Sequence, residues 1–190
     1  MSPRASSYDA IVDAAEAVVI EAGASHMTLD AVAAKAGVSK GGLLHHFPTK
    51  MALLEAMVKR QVERHEKVLK NICKELPDEP SRPVKGFVLS ALYRDKGHDN
   101  LGASLFAAVA HNPKLNEPVR KVVKQIFSEF ASSGMKFEKA AIIALAADAL
   151  WLQEMLSISP FDEQQRNKII EELLKLIDEE TKDNHSNSIL

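Results

Sequence analysis

The chain has 190 residues, 46% hydrophobic and 26% charged, with a formal net charge of -2, proportions that suit one ordinary soluble domain or a small domain joined to a larger one. The longest apolar stretches contain Asp148 or stop short of the roughly 18 residues of a membrane span, and acids at Asp9, Asp13, Glu16 and Glu21 interrupt any signal-peptide core, so neither membrane nor leader is expected. A single cysteine, Cys73, excludes an internal disulfide framework and suits a reducing cytoplasm, while the mild acidity argues against bulk electrostatic binding to nucleic acid.

Apolar spacing is helical almost throughout, and eight Gly and eight Pro are too few for a loop-rich β architecture. A first helix is predicted from about Ser6 to Glu21, with Ile11, Ala14, Ala15, Val18, Val19 and Ala22 as its buried stripe and Gly23 as its stop. Thr28 caps a short helix, Leu29 to Ala36, ended by Gly37; Ser39 caps another that reaches His46 before Phe47-Pro48. Thr49 caps a long helix beginning at Lys50 and carrying Leu53, Leu54, Met57, Val58, Val62, Leu69, Ile72 and Leu76. Three prolines between Pro77 and Pro83 make the strongest break in the chain. Beyond it, helices are predicted at about 83–95, 100–111, 114–133, 136–157 and 162–180, and the polar tail after Glu180 is expected to fray. The fold class is all-α, with about nine helices.

Two short helices joined by Gly37-Val38-Ser39 have the layout of a helix-turn-helix. Ala33 and Ala34 allow a close crossing, Gly37 tolerates a positive φ, and Val38 and Leu43 plug the pair against the first helix. The outward side of the second short helix then carries Lys40, Gly41, Gly42, Leu44, His45 and His46.

The run TLDAVAAKAGVSKGGLLHHFPTKMALLEAMV, Thr28 to Val58, resembles the DNA-binding signature of TetR-type (TetR/AcrR) transcriptional regulators. Many linked positions carry the likeness: the Ala-Ala step, Ala36-Gly37-Val38-Ser39, the short second helix, His46-Phe47 and Thr49-Lys50. It covers about the first 60 residues, and the rest matches in length and helicity. The resemblance implies that Lys40–His46 enters the major groove of a double-stranded DNA operator. It places Thr28 on a phosphate, Ser39, Lys40 and Gly41 nearest the bases and backbone, His45 and His46 at flanking phosphates or bases, and Lys50 as a phosphate clamp. The chemistry of these residues agrees: free N–H groups at helix starts and the Lys50 ammonium attract anions, Lys40 can donate to guanine O6/N7, and Gly41 and Gly42 permit close approach. Two positions depart from the pattern. His45 stands where an aromatic is common in the family, and Asp30 stands where a basic residue is common; Asp30 suits the helix dipole but repels a phosphate.

Charge is the difficulty for this reading. Up to residue 65, Arg4, Lys35, Lys40, Lys50, Lys59, Arg60 and Arg64 are balanced by Asp9, Asp13, Glu16, Glu21, Asp30, Glu55 and Glu63, seven against seven. Few phosphate contacts per subunit are expected, so useful affinity calls for two linked subunits.

The segment 136–157 is apolar nearly all round, with Asp148 as the one polar residue from Ala140 to Trp151, so it needs cover on both sides. With the segment 162–180 it forms the expected homodimer surface, half of an intersubunit four-helix bundle as the family implies. The expected organisation is a helix-turn-helix DNA-binding domain over 1–47 and an effector-binding and dimerisation domain over 48–190, with the helix 48–76 connecting them. The family places a small-molecule effector among the middle helices, where Phe87, Tyr93, Phe106, Phe127, Asp148, Trp151 and Met155 are the candidate lining; core packing is the competing reading for each aromatic. Asp148 is expected to be buried and to need a partner.

The remaining chemistry is sparse. Cys73 reads as a small buried hydrophobe, and the adjacent His45 and His46 point about 100° apart on a helix and cannot share a metal. His26, His65, His98, His111 and His185 are scattered without carboxylates or Cys at ligand spacing, so no metal is expected. No phosphate loop, nucleophile elbow or catalytic carboxylate pair is present, and neither catalysis nor a cofactor is expected. The expected function is a ligand-responsive transcriptional regulator, acting as a cytoplasmic repressor released by its effector. The alternative is a helical ligand-carrying or protein-docking module whose helix-turn-helix does not bind DNA, which Asp30 and the neutral N-terminal charge favour.

Overall fold

The computed structural model describes residues 7–92 and 96–187, excluding the side chains of 96–98 and 183–187. Nine α-helices and no strand occur among them: α1 (Ser7–Ala22), α2 (Leu29–Ala36), α3 (Lys40–His46), α4 (Lys50–Glu75), α5 (Arg82–Ser90), α6 (Lys96–His111), α7 (Glu117–Phe130), α8 (Phe137–Met155) and α9 (Glu163–Asn187). A 3-10 turn, Pro113–Asn116, precedes α7. The expected all-α class and helix number hold. No described helix is long and apolar enough to cross a membrane.

The short helices begin and end where local chemistry dictates. Thr28, in extended conformation, accepts the Ala31 N–H on its Oγ1 at 3.1 Å, and Gly37 closes α2 at φ 67°, its N–H turned to the carbonyls of Ala33 and Ala34. Ser39 Oγ accepts the Gly42 N–H at 3.1 Å to start α3, and Thr49 Oγ1 accepts the Ala52 N–H at 3.1 Å to start α4.

Two compact units share α4. One comprises residues up to 63 with 95–119, and the other 64–94 with 120–190. Beside the boundary expected after residue 47, the first compact unit groups the first half of α4, α6 and the 3-10 turn with the N-terminal helices. Apolar burial supplies the reason, since Leu101, Leu105 and Leu115 share a core with Ile11, Val12, Val32, Leu43, Leu53 and Met57. In α1 the buried stripe includes Val12, whereas Ala22 in the last turn is exposed.

The second unit packs α5 against α8 and α9. Its core joins Val84 and Val88 of α5, Phe130 of α7, Ala140, Ala144 and Ala147 of α8, and Ile170 and Ile177 of α9. The small alanines let α8 approach its neighbours closely. On the opposite side of α8, Ile142 and Leu145 are 64% and 58% exposed, as the all-round apolar sequence anticipates.

Two expectations need correction. The C-terminal tail is helical to Asn187, since no Gly or Pro interrupts α9 and Thr181 Oγ1 donates to the carbonyls of Ile177 (2.9 Å) and Asp178 (3.0 Å). Asp148 is exposed, because the helical register places it with Leu145 on the outward side of α8.

Candidate nucleic-acid interface

Seven residues were expected to meet DNA, and all lie in the N-terminal unit on α3 or at the starts of α2 and α4. Thr28, Ser39, Lys40, Gly41 and His45 are exposed; His46 and Lys50 are half-buried. Thr28 and Ser39 each hold a helix start through the capping bonds above, so their hydroxyls are already oriented by the fold. Leu43 points the other way and is fully buried, which fixes the roll of α3 about its own axis.

Along the outward side of α3 there is little bulk. A Cβ placed on Gly41 would meet nothing within 4 Å, so the bare backbone there answers no packing demand within the protein. Leu44 is 37% exposed on the same short helix, an apolar group suited to a thymine methyl. Leu44 lies on the outward side, as its helical position predicts, and joins the seven residues expected at the DNA.

The polar side chains are engaged by neighbours. Lys40 Nζ lies 2.9 Å from Asp30 Oδ1 and 3.0 Å from Oδ2, linking the first residue of α3 to the first turn of α2. Lys50 Nζ donates to the Ser25 carbonyl at 2.8 Å. His46 Nε2 is 2.8 Å from Ser7 Oγ, and its ring meets Tyr8 edge-on at 6.2 Å, so it is turned towards α1. His45 remains the more accessible of the two histidines.

The balanced charge of this region has a structural counterpart. Lys35 Nζ sits 2.5 Å from Glu21, Lys40 is paired with Asp30, and Lys59 lies 3.8 Å from Glu63. Arg60, only 18% exposed, hydrogen-bonds Asp13 and lies 3.3 Å from Asp9 and 3.8 Å from Glu16. Burial works against its charge, but the Asp13 hydrogen bond and the negative charges of Glu16, Asp13 and Asp9 prevail and raise its pKa. The acids of α1 therefore serve to clasp α4. Arg4 lies outside the described residues.

The residues expected around an effector are distributed differently. Phe87 and Phe127 both pack on Phe130, with ring centres 5.8 and 5.2 Å away. Trp151 borders the same core, and Met155 is buried. Phe106 belongs to the N-terminal unit and is 49% exposed, while Tyr93 lies outside the described residues. His65 meets Phe87 edge-on at 6.5 Å, and burial lowers its pKa. A cleft of about 680 Å³ opens between the α4–α5 link and α9, lined by Glu79, Pro80, Ser81, Lys85, Asp178, Thr181 and Lys182, none of them expected pocket residues. Lys85 bridges Glu79 at 3.2 Å and Asp178 at 2.7 Å there. Burial works to lower the Lys85 pKa, and its bonds to those two acids reverse the direction.

Cys73 is half-buried, and a Cβ on Gly86 would come within 2.3 Å of its Sγ, so the thiol fills the space where α4 and α5 meet. Burial raises its pKa, assisted by Glu129 and opposed by Arg82. Among the described residues, no cluster of three or more His, Cys, Asp or Glu could hold a metal.

Comparison with known proteins places this geometry. Residues 11–57 match the bacterial regulatory proteins of the tetR family, and residues 81–178 match the tetracyclin repressor-like C-terminal domain. The HTH-type transcriptional regulator BetI of Serratia proteamaculans is 27% identical over 168 residues, which span 82% of this chain and 84% of that protein. A transcriptional regulator of Rhodococcus sp. Rha1 shares the fold with a TM-score of 0.73 at 23% identity, over 90% of this chain and 96% of that one. The multidrug binding protein EbrR, complexed with imidazole, shares it with a TM-score of 0.69 at 22% identity, over 91% and 96%. A helix-turn-helix with capped short helices and an outward α3, followed by a family-matching C-terminal domain, makes this chain a member of the TetR family of ligand-responsive, DNA-binding transcriptional regulators.

Proposed function

We propose that the protein is a cytoplasmic repressor that binds a pseudo-palindromic operator as a homodimer and leaves it when a small molecule occupies the C-terminal unit. The observation that carries the DNA reading is the outward side of α3, where Lys40, Gly41, Leu44 and His45 are all exposed while Leu43 anchors the helix beneath. Lys40 suits guanine O6/N7, the bare Gly41 allows close approach, and Leu44 suits a thymine methyl.

A second copy of the chain is the proposed cover for α8 and α9. Ile142 and Leu145 on α8 and Leu176 on α9 are large apolar groups left 64%, 58% and 42% exposed in one chain. A twofold pairing of these helices gives two recognition helices, which a dimeric reader sets about 34 Å apart for successive major grooves. Asp148, on that outward side, belongs in this proposal to the subunit surface rather than to the effector pocket.

Phe87, Phe127, Trp151 and Met155 are the proposed effector surroundings, suited to an apolar molecule. The packed aromatic cluster means that binding selects an opened arrangement of the unit, which in turn alters operator affinity. A gel mobility-shift assay with the chain's own upstream DNA tests the proposal: saturable, sequence-selective retardation supports it, and equal binding to any duplex defeats it. Effector candidates are screened through Trp151, the only tryptophan, whose emission shifts when a ligand enters beside it.

A further inference from the structure

The ion pair between Lys40 and Asp30 joins the start of the proposed recognition helix to an acid on the neighbouring helix. Its ammonium sits between both carboxylate oxygens, at 2.9 and 3.0 Å, and the two side chains remain 59% and 68% exposed. The pair is thus preformed and still accessible. No acid stands in the first turn of α3, so the negative charge beside Lys40 comes from α2.

We propose that Asp30 is a specificity-determining residue, which withholds Lys40 from phosphates and yields it to a G·C base pair. This inference rests on the reading that α3 enters the major groove. A phosphate offers acceptors only: it can take the Lys40 ammonium, but it then faces the Asp30 carboxylate as a like charge. The major-groove edge of a G·C pair offers guanine N7 and O6 as acceptors beside the cytosine N4 amino donor. That edge satisfies both members, with Lys40 donating to guanine and Asp30 accepting from cytosine. Sequence-independent attraction is thereby reduced at a base-reading position, while one base pair retains both partners.

The neighbouring cations fit this division of labour. Lys35 is held by Glu21 and Arg60 by three acids of α1, whereas Lys50 donates to a neutral carbonyl. Lys50, at the start of α4, is thus the cation that this reading assigns to the DNA backbone.

The test measures anisotropy of labelled duplexes over a series of KCl concentrations. One duplex is an operator selected from random DNA by the wild-type protein, and the other is a scrambled duplex of equal length. Asp30→Asn is expected to bind the scrambled duplex about tenfold tighter, with a log–log salt slope steeper by about 2 per dimer, one released cation for each subunit. Operator affinity is expected to change less, so the specificity ratio falls, and repeated selection shows a weaker G·C preference at one position in each half-site, since Lys40 still donates to guanine. Asp30→Glu retains the charge and is expected to restore the low affinity for scrambled DNA. In a Lys40→Ala background, Asp30→Asn is expected to leave the scrambled-duplex slope unchanged. Circular dichroism melts establish that each variant is folded.

Unchanged affinity and slope for Asp30→Asn on scrambled DNA overturn the proposal. An equal gain in the Lys40→Ala background also overturns it, because Asp30 then acts on phosphates without Lys40. A wild-type protein that cannot distinguish operator from scrambled DNA instead defeats the α3 reading, a separate outcome.

Discussion

Lys50 donates its ammonium proton to the carbonyl of Ser25 at 2.8 Å, which ties the first residue of α4 to the segment preceding α2. The bond orients a cation at the start of a helix, where the macrodipole also favours an anion. Lys50→Ala is therefore expected to weaken operator and non-operator DNA by the same factor and to reduce the log–log salt slope by about 0.9 per subunit. Anisotropy titrations at several salt concentrations read both quantities. A change in sequence preference would contradict the assignment, since preference is expected to relax in Lys40→Ala instead.

Gly41 separates stability from recognition. Gly41 is the second residue of the seven-residue α3, so alanine there gains part of the roughly 1 kcal/mol by which glycine disfavours a helix interior, and a Cβ at this position meets nothing within 4 Å. Gly41→Ala is expected to raise the thermal midpoint by a few degrees and to weaken operator binding. A stabilised variant with undiminished DNA affinity would show that Gly41 does not closely approach the duplex.

The clasp of α1 on α4 centres on Arg60, whose guanidinium serves Asp9, Asp13 and Glu16. Glu16 is nearly buried, its side chain 10% exposed, so losing the cation leaves a carboxylate poorly solvated. Arg60→Ala is expected to cost about 2 kcal/mol in urea unfolding. Arg60→Lys retains one charge without the planar fork and should recover only part of the loss.

The outward side of α8 leads to a test of assembly. Ile142→Glu places a charge where 64% of an apolar side chain is exposed in one chain. Light scattering is expected to report a monomer, with the helical circular dichroism retained, and DNA affinity should fall with the lost second reader. A dimer of unchanged stability would exclude this surface as the subunit contact.

Asp148 adds a pH dependence with a defined sign. Partial desolvation raises its carboxyl pKa above the ordinary 3.8, although the residue as a whole is exposed in the single chain. The folded protein holds this proton more tightly than the unfolded chain, so the stability contribution falls as pH rises from about 3.8 through the raised value. Asp148→Asn removes that loss and is expected to be more stable than wild type at pH 7, with the gap closing towards pH 4. Urea denaturation at both pH values measures it, and a gap independent of pH would contradict the assignment.

Local chemistry was legible in the chain itself. The caps at Thr28, Ser39 and Thr49, the stop at Gly37 and the buried plug Leu43 depend on nearest neighbours and helical period, and each stands where its residue type predicts. The all-round apolar α8 likewise announced a need for cover on two sides. What only tertiary structure decided were relationships between residues far apart in sequence. Composition counted seven cations against seven acids up to residue 65, but it could not say that Asp30 holds Lys40 or that three acids of α1 converge on Arg60. It could not assign α6 to the N-terminal core, because burial of Leu101 and Leu105 depends on surfaces presented by α1 and α4. Nor could it separate Phe106 from Phe87 and Phe127, since hydrophobicity gives each residue a tendency to be buried without choosing its neighbours. Net charge alone described a protein ill-suited to DNA. Folding distributes that charge among specific pairs, because Coulomb energy depends on separation and the chain brings distant charges within about 3 Å of one another.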